Sequence, residues 1–193
     1  MARPRQFDET EVLTRALHAF WARGYDATSI EHLVEATGLG RASLYGAFGD
    51  KEQLFRRVVA HYLDCSGSER DRATAGLTAR AALEAFILNR VHSASHPENP
   101  QGCFLQMAAT SGTSPPLVRE ALDRSNAEMN TWVLGQLRQA QAGGELASTA
   151  DLDALATLVG VLVAGLVSSA KAGLPTAALT TAAQSALDLM FGK

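Results

Sequence analysis

The sequence has few of the features that mark secreted, disordered or membrane-spanning proteins. Two cysteines in 193 residues are too few for a disulfide framework, and six prolines leave long helices possible. The uncharged and mostly apolar run Ala154–Ala170 has 17 residues, whereas a membrane-spanning helix needs about 20. No apolar stretch follows Arg3 and Arg5, so no secretory signal is expected. We therefore expect a cytoplasmic protein without membrane contact.

The sequence also lacks a strong charge of one sign. Its net charge is −3, and residues 1–62 hold 8 Lys and Arg against 8 Asp and Glu. Binding to nucleic acid would therefore depend on a local patch rather than on overall charge. The apolar share of 47% is enough for a buried core, and the abundance of Ala and Leu favours helices.

The N-terminal third has the periodicity of four consecutive helices. An apolar stripe at steps of three and four residues predicts a first helix that ends at Gly24. Thr28 with Glu31 has the spacing of a capping box for the second helix, and Gly38 ends that helix. A third helix is predicted over Arg41–Phe48, and Asp50 with Gln53 would cap a fourth. The residues of the first stripe are Val12, Leu13, Ala16, Leu17, Phe20 and Trp21.

The second and third of these helices have the length and the tight glycine turn of a helix-turn-helix. In that unit Leu44 and Phe48 would anchor the second helix, and its other face would remain available for the DNA major groove. The residues on that face are Arg41, Ala42, Ser43, Tyr45 and Gly46. Periodicity alone fits an ordinary helical hairpin inside a core equally well.

The stretch YDATSIEHLVEATGLGRASLYGAFGDKEQLF (Tyr25–Phe55) closely resembles the DNA-binding domain of TetR/AcrR-type transcriptional regulators, and Arg3–Asp8 and Ala16–Tyr25 fit the same pattern. The resemblance implies an all-α protein. Residues 1–50 would form a three-helix helix-turn-helix domain. Residues 51–193 would form a helical domain for ligand binding and dimerisation, with a helix that starts near residue 51 linking the two.

The resemblance further implies a homodimeric regulator, most often a repressor, that a small-molecule inducer releases from a near-palindromic operator in double-stranded DNA. It assigns DNA contacts to Lys51 at the start of the fourth helix, to Thr28 at the cap of the second, and to a basic arm. The full set of implied DNA-binding residues is Arg3, Arg5, Thr28, Arg41, Ala42, Ser43, Tyr45, Gly46 and Lys51. Gly40 departs from the family pattern, since many members have a capping Ser or Thr there.

The remainder of the chain predicts five helices with weaker signals. They cover approximately Ala79–Ala94, Cys103–Ser111, Pro116–Ala142, Asp151–Ala172 and Thr176–Phe191. The segment NPQGCFLQMAA (Asn99–Ala109) resembles part of the ligand-binding domain of one subgroup of the same regulators. Polar residues on otherwise apolar helical faces are typical of small-molecule sites. For any one of these residues taken by itself, ordinary packing in the core is an equally simple explanation of its position. The candidate ligand-binding residues are Phe86, Asn89, Cys103, Phe104, Met107, Asn126, Met129 and Trp132.

Other chemistry has little support in the sequence. His92 and His96 would share one helical face, as zinc ligands do, but no further ligand has a suitable spacing. Cys103 is a candidate redox or electrophile sensor, so a thiol or metal sensor is the alternative function. No catalytic motif or phosphate-binding loop is present, so we expect no enzyme activity and no cofactor.

Apolar residues surround the predicted helix Asp151–Ala172 on nearly every side. Such a helix must be covered on all sides, and a second copy of the chain would cover the face that its own subunit leaves open. Small residues such as Gly160 and Gly165 would allow two backbones to approach closely. With the stripe on Thr176–Phe191, this pattern predicts a four-helix bundle between two subunits.

Overall fold

The computed structural model describes residues 7–96, 103–110 and 115–192, and the regular structure in those ranges is α-helical. The predicted all-α fold is confirmed. The helices are α1 (Glu9–Arg23), α2 (Ile30–Thr37), α3 (Arg41–Phe48), α4 (Lys51–Thr74), α5 (Ala79–Ser95), α6 (Phe104–Thr110), α7 (Pro116–Ala142), α8 (Leu152–Lys171) and α9 (Thr176–Phe191).

The chain forms two compact units. Unit 1 comprises Met1–Ser66 and Phe104–Leu122, and unit 2 comprises Gly67–Cys103 and Asp123–Lys193. The division therefore falls inside α4 and inside α7 rather than between helices. The domain boundary predicted after residue 50 lies at the start of α4, the helix that was expected to link the two domains.

Unit 1 is held by an aromatic core. The rings of Phe20 and Phe55 meet edge to face with centroids 4.9 Å apart, and the ring of Phe104 lies 6.0 Å from that of Phe55. Phe20, Phe55 and Phe104 are each at most 1% exposed. Edge-to-face pairs add directional attraction to the burial of apolar area, so α1, α4 and α6 share one core.

The start of α2 differs from the prediction. Ser29, not Thr28, is the N-cap: its hydroxyl accepts a hydrogen bond from the amide of His32, and the His32 side chain accepts one from the amide of Ser29. The capping box is therefore Ser29 with His32 rather than Thr28 with Glu31. The predicted end of α2 is confirmed, since Gly38 adopts a φ of 71° that favours glycine.

Unit 2 surrounds a core formed by α5, α7, α8 and α9. Leu83, Ile87 and Val91 of α5 are fully buried, at the spacing of one helical face. They belong to the same apolar cluster as Val159 of α8 and Leu187 of α9.

Helix α8 has 20 residues and a mean hydropathy of 1.9, so by length and composition alone it could cross a membrane. Apolar core helices of soluble proteins meet the same criterion. In this structure one side of α8, including Val159 and Val163, lies in the unit 2 core.

Candidate nucleic-acid interface

Helix α3 exposes the residues that the helix-turn-helix interpretation assigns to DNA. Leu44 and Phe48 are 2% and 3% exposed and anchor the helix, as predicted. The opposite face is open to solvent. Its exposed residues are Arg41, Ala42, Ser43, Tyr45 and Gly46. This face carries a cation, two hydroxyl groups and little bulk, which suits close approach to base edges and phosphates.

The first turn of α3 has no side-chain cap. Gly40 is the N-cap residue and supplies no capping hydrogen bond, which agrees with the predicted loss of a cap at this position. Helix N-terminal amides attract phosphate groups through their N–H groups and the helix dipole. The backbone at the start of α3 is therefore suited to a phosphate contact beside the Arg41 side chain.

Lys51 is fixed at the start of α4 by two contacts. Its ammonium lies 4.4 Å from the centroid of the Tyr25 ring, and its Nζ donates a hydrogen bond to the backbone carbonyl of Asp26 at 3.5 Å. Partial burial lowers the pKa of Lys51, while the nearby Asp26 carboxylate acts in the opposite direction. The cation is thus ordered before any DNA arrives.

Thr28 is a correction to the predicted DNA-binding set. It is 0% exposed, and its hydroxyl donates a hydrogen bond to the carbonyl of Gly24 at 2.6 Å. A side chain buried in this way stabilises the α1–α2 turn and does not reach a phosphate. Arg3 and Arg5 lie outside the described residues.

Arg57 is a further residue of this region that the sequence patterns did not single out. From α4 its guanidinium donates to the carbonyl of Ala47 near the end of α3 at 3.4 Å and lies 5.0 Å from the Phe48 ring centroid. It also forms an ion pair with Glu9 of α1. Arg57 therefore ties three helices together around the exposed helix α3, which no periodicity could reveal.

Six of the eight predicted ligand-binding residues lie in unit 2, among them Phe86, Asn89, Met129 and Trp132. The rings of Phe86 and Trp132 have centroids 5.0 Å apart, and Met129 is partly buried against the same core. The Asn89 amide donates to the Glu69 carboxylate at 3.1 Å. An aromatic pair with a polar group one turn away along α5 has the composition of a small-molecule site.

The other predicted ligand residues are distributed differently. Asn126 is exposed on α7, so the prediction that its amide is buried is wrong. Phe104 and Met107 belong to unit 1, where the Phe104 ring lies 5.3 Å from that of Tyr62. Cys103 is partly buried beside the unit 2 core.

The histidines of the alternative interpretation are both exposed. His92 lies in the last turn of α5, and His96 is the residue that ends the helix. Among the described residues there is no group of three or more His, Cys, Asp or Glu side chains that could hold a metal ion.

An apolar face remains uncovered on α8 and α9. Leu158 and Val161 of α8 are 47% and 65% exposed, and Leu189 of α9 is 82% exposed. Small, uncharged residues extend this face along both helices. They are Ala154, Thr157, Ala164, Gly165, Ser168, Ala178, Ala182 and Ser185, all exposed. We call these residues, with Leu158, Val161 and Leu189, the α8–α9 face.

Comparisons with known proteins identify both halves of the chain. A family described as "Bacterial regulatory proteins, tetR family" matches residues 12–58. A second, described as "Tetracyclin repressor-like, C-terminal domain", matches residues 79–186.

Individual relatives agree with these family matches. The chain is 31% identical over 175 residues to the HTH-type transcriptional repressor ComR of Escherichia coli (strain K12), which covers 89% of this chain and 83% of ComR. Its structure is similar, with a TM-score of 0.84 and 36% identity, to a cysteine-substituted form of the TetR family regulator CifR bound to a 26-base-pair operator duplex. That match covers 96% of this chain and 98% of the CifR chain.

Proposed function

The chain belongs to the TetR family of bacterial regulatory proteins, and from this premise we propose that it is a homodimeric repressor released from its operator by a small-molecule inducer. Members of this family are DNA-binding transcriptional regulators. The observation that carries the proposal is the exposed face of α3, whose opposite face is anchored in the core by Leu44 and Phe48. We place its action in the cytoplasm, where operator DNA and inducer are both accessible.

The proposed DNA contacts divide into two kinds. Arg41 and Tyr45 would reach base edges and sugar–phosphate groups in the major groove, while Ser43 and Lys51 would hold backbone phosphates. Ala42 and Gly46 would allow close approach without adding hydrogen bonds. With few base-reading side chains, sequence-dependent DNA shape would contribute to operator choice. The CifR relative bound to operator DNA supports this mode of action.

Selection from a random pool of duplexes tests the DNA-binding part. We expect the protein to enrich one near-palindromic sequence and to protect a site of that sequence upstream of its own gene from nuclease cleavage. Arg41→Ala should weaken binding to the selected duplex by about 1–3 kcal/mol and relax preference at the contacted position. Enrichment of no sequence would contradict the proposed function.

The proposed inducer site is centred on Phe86, Asn89, Met129 and Trp132 in unit 2. Stacked or tilted aromatic rings accept flat apolar molecules, and Asn89 offers hydrogen bonds that would select among them. Asn89 would exchange its bond to Glu69 for a bond to the ligand. By linkage, a molecule that lowers operator affinity must bind the DNA complex more weakly than the free protein.

The proposed inducer site can be tested with a panel of small molecules, each assayed for its ability to release the protein from the selected duplex. We expect Trp132→Ala to weaken the response to an active molecule at least tenfold and to leave operator affinity without it unchanged. Asn126→Ala is the matched control, because Asn126 lies on the same helix but is exposed. If both variants respond like the wild type, the inducer site is elsewhere.

A further inference from the structure

An ion pair joins the two helices of the helix-turn-helix. The carboxylate of Glu31 in the first turn of α2 contacts the guanidinium of Arg41, the first residue of α3. Both side chains are exposed, by 68% and 59% respectively. Arg41 lies on the face that we assign to DNA. The cation that would contact DNA therefore already has an anionic partner within the same unit.

The same carboxylate lies at the N-terminus of α2. Hydrogen bonds from its own backbone amide and from the Ser29 side chain, together with the nearby Arg41, lower the pKa of the Glu31 carboxyl group. N-terminal amides, a hydroxyl group and an arginine are also the groups that bind a phosphate. Glu31 therefore occupies, with one side chain, two groups of donors that a DNA phosphate could use.

We propose that Glu31 is a specificity-determining residue whose carboxylate competes with DNA phosphates for Arg41 and for the first turn of α2. The inference rests on the proposed role of Arg41 in DNA binding. On arbitrary DNA, Arg41 gains a phosphate only by giving up Glu31, so little free energy is gained. On the operator, contacts to base edges compensate for the lost pair. A competing group such as the Glu31 carboxylate raises specificity when it weakens binding to arbitrary DNA more than binding to the operator.

Glu31→Gln tests the competition directly, because it keeps the shape of the side chain and removes its charge. The probes are the duplex that the wild-type protein selects from a random pool and a scrambled duplex of equal length and composition. An exposed ion pair contributes only a small free energy, and the dimer would have two such pairs. We therefore expect the affinity for the scrambled duplex to rise only about three- to tenfold. Affinity for the selected duplex should rise by about twofold or less, and the ratio of the two affinities should fall.

Glu35→Gln is the matched control. Glu35 is exposed one turn further along α2, so this variant removes the same charge from the same helical face. We expect it to change the affinities for the two duplexes by equal factors. In an Arg41→Ala background, Glu31→Gln should no longer increase binding to the scrambled duplex beyond the effect of Glu35→Gln. Thermal unfolding of each variant confirms that the fold is retained.

Three results would overturn the proposal. Equal gains for both duplexes would show a general charge effect, and weaker binding to the selected duplex alone would show that Glu31 supports Arg41 instead of competing for it. Persistence of the effect in the Arg41→Ala background would remove Arg41 from the explanation. These failures differ from failure of the proposed function, in which the wild-type protein would select no sequence.

Discussion

At the scale of single residues, Lys51 shows how a DNA contact can be prepared before DNA binds. The Tyr25 ring and the Asp26 carbonyl hold its ammonium in place, so little side-chain entropy remains to be lost on binding. Electrostatic contacts to phosphate do not depend on sequence. Lys51 should therefore contribute affinity for any duplex.

Lys51→Ala is expected to weaken binding to the selected and scrambled duplexes by the same factor. It should also lower the slope of log affinity against log salt concentration by about one unit for each lost phosphate contact, hence by about two in a dimer. Titrations at several salt concentrations measure both quantities. Lys171→Ala is the control, since Lys171 ends α8 in unit 2. A loss restricted to the selected duplex would argue that Lys51 reads bases.

Thr28 has a different residue-scale role, because its hydroxyl is buried and bonded to the Gly24 carbonyl. Thr28→Val keeps the shape but leaves that carbonyl without this donor, so we expect a loss of about 1–2 kcal/mol in the free energy of unfolding. Operator affinity measured well below the unfolding temperature should not change. Thr28→Ser, which keeps the hydroxyl, should retain the hydrogen bond. A large loss of DNA affinity in a stable Thr28→Val protein would restore the predicted phosphate contact.

At the scale of helices, the sequence predicted where each helix begins and ends better than it predicted which face of the helix is buried. Apolar periodicity and glycine ends located the helices closely, since both depend on neighbours within one turn. The cap of α2 was misplaced by one residue because Thr28 and Ser29 both carry capping hydroxyls, and only tertiary burial of Thr28 decides between them. The prediction that Asn126 of α7 is buried was also wrong by one residue, since Ser125 is partly buried and Asn126 is exposed. One residue rotates a side chain by about 100° around a helix, which the pattern on a long helix could not resolve.

Contacts between helices were beyond prediction for a related reason. Arg57 meets Glu9, Ala47 and Phe48 only after α1, α3 and α4 have packed. Glu9 and Arg57 are 48 positions apart in the sequence, and no sequence pattern links them. The anchors Leu44 and Phe48 defined which face of α3 is buried, and the resemblance to TetR/AcrR-type regulators predicted that the opposite face is open rather than packed inside a core. Long-range polar contacts depend on the arrangement of whole helices.

Arg57→Leu tests whether this arrangement matters. Its ion pair and ring contact are partly solvated, so we expect a loss of only about 1 kcal/mol in stability, measured by urea unfolding. Arg56→Leu is the control, because Arg56 forms only an exposed pair with Glu52 one turn earlier on α4 among the interactions described, and such pairs contribute about 0.3–0.5 kcal/mol. Equal losses for the two variants would show that Arg57 does not tie α3 to α1 and α4.

At the scale of the whole molecule, the α8–α9 face is the feature that one subunit leaves unexplained. The exposed part of α8 lies within a run of 17 uncharged residues, and Asp188 is the sole charged residue of α9. An exposed apolar face of this kind marks an interaction site. A twofold axis through it would bring α8 and α9 of two subunits into a four-helix bundle, and the dimer would then carry two copies of α3 for a near-palindromic operator.

Val161→Glu tests this assembly without disturbing the subunit. Val161 is 65% exposed, whereas Val163, two residues along α8, is 8% exposed and would report on the unit 2 core instead. A glutamate at residue 161 would place two unpaired carboxylates in the proposed interface, at a cost of several kcal/mol. We expect sedimentation at micromolar concentration to show a folded monomer with weak operator binding. Leu77→Glu is the control, since Leu77 is also an exposed apolar residue of unit 2, at 44%, but belongs to neither α8 nor α9. If the wild-type protein itself sediments as a monomer, the α8–α9 face has another partner and the operator is read by one subunit at a time.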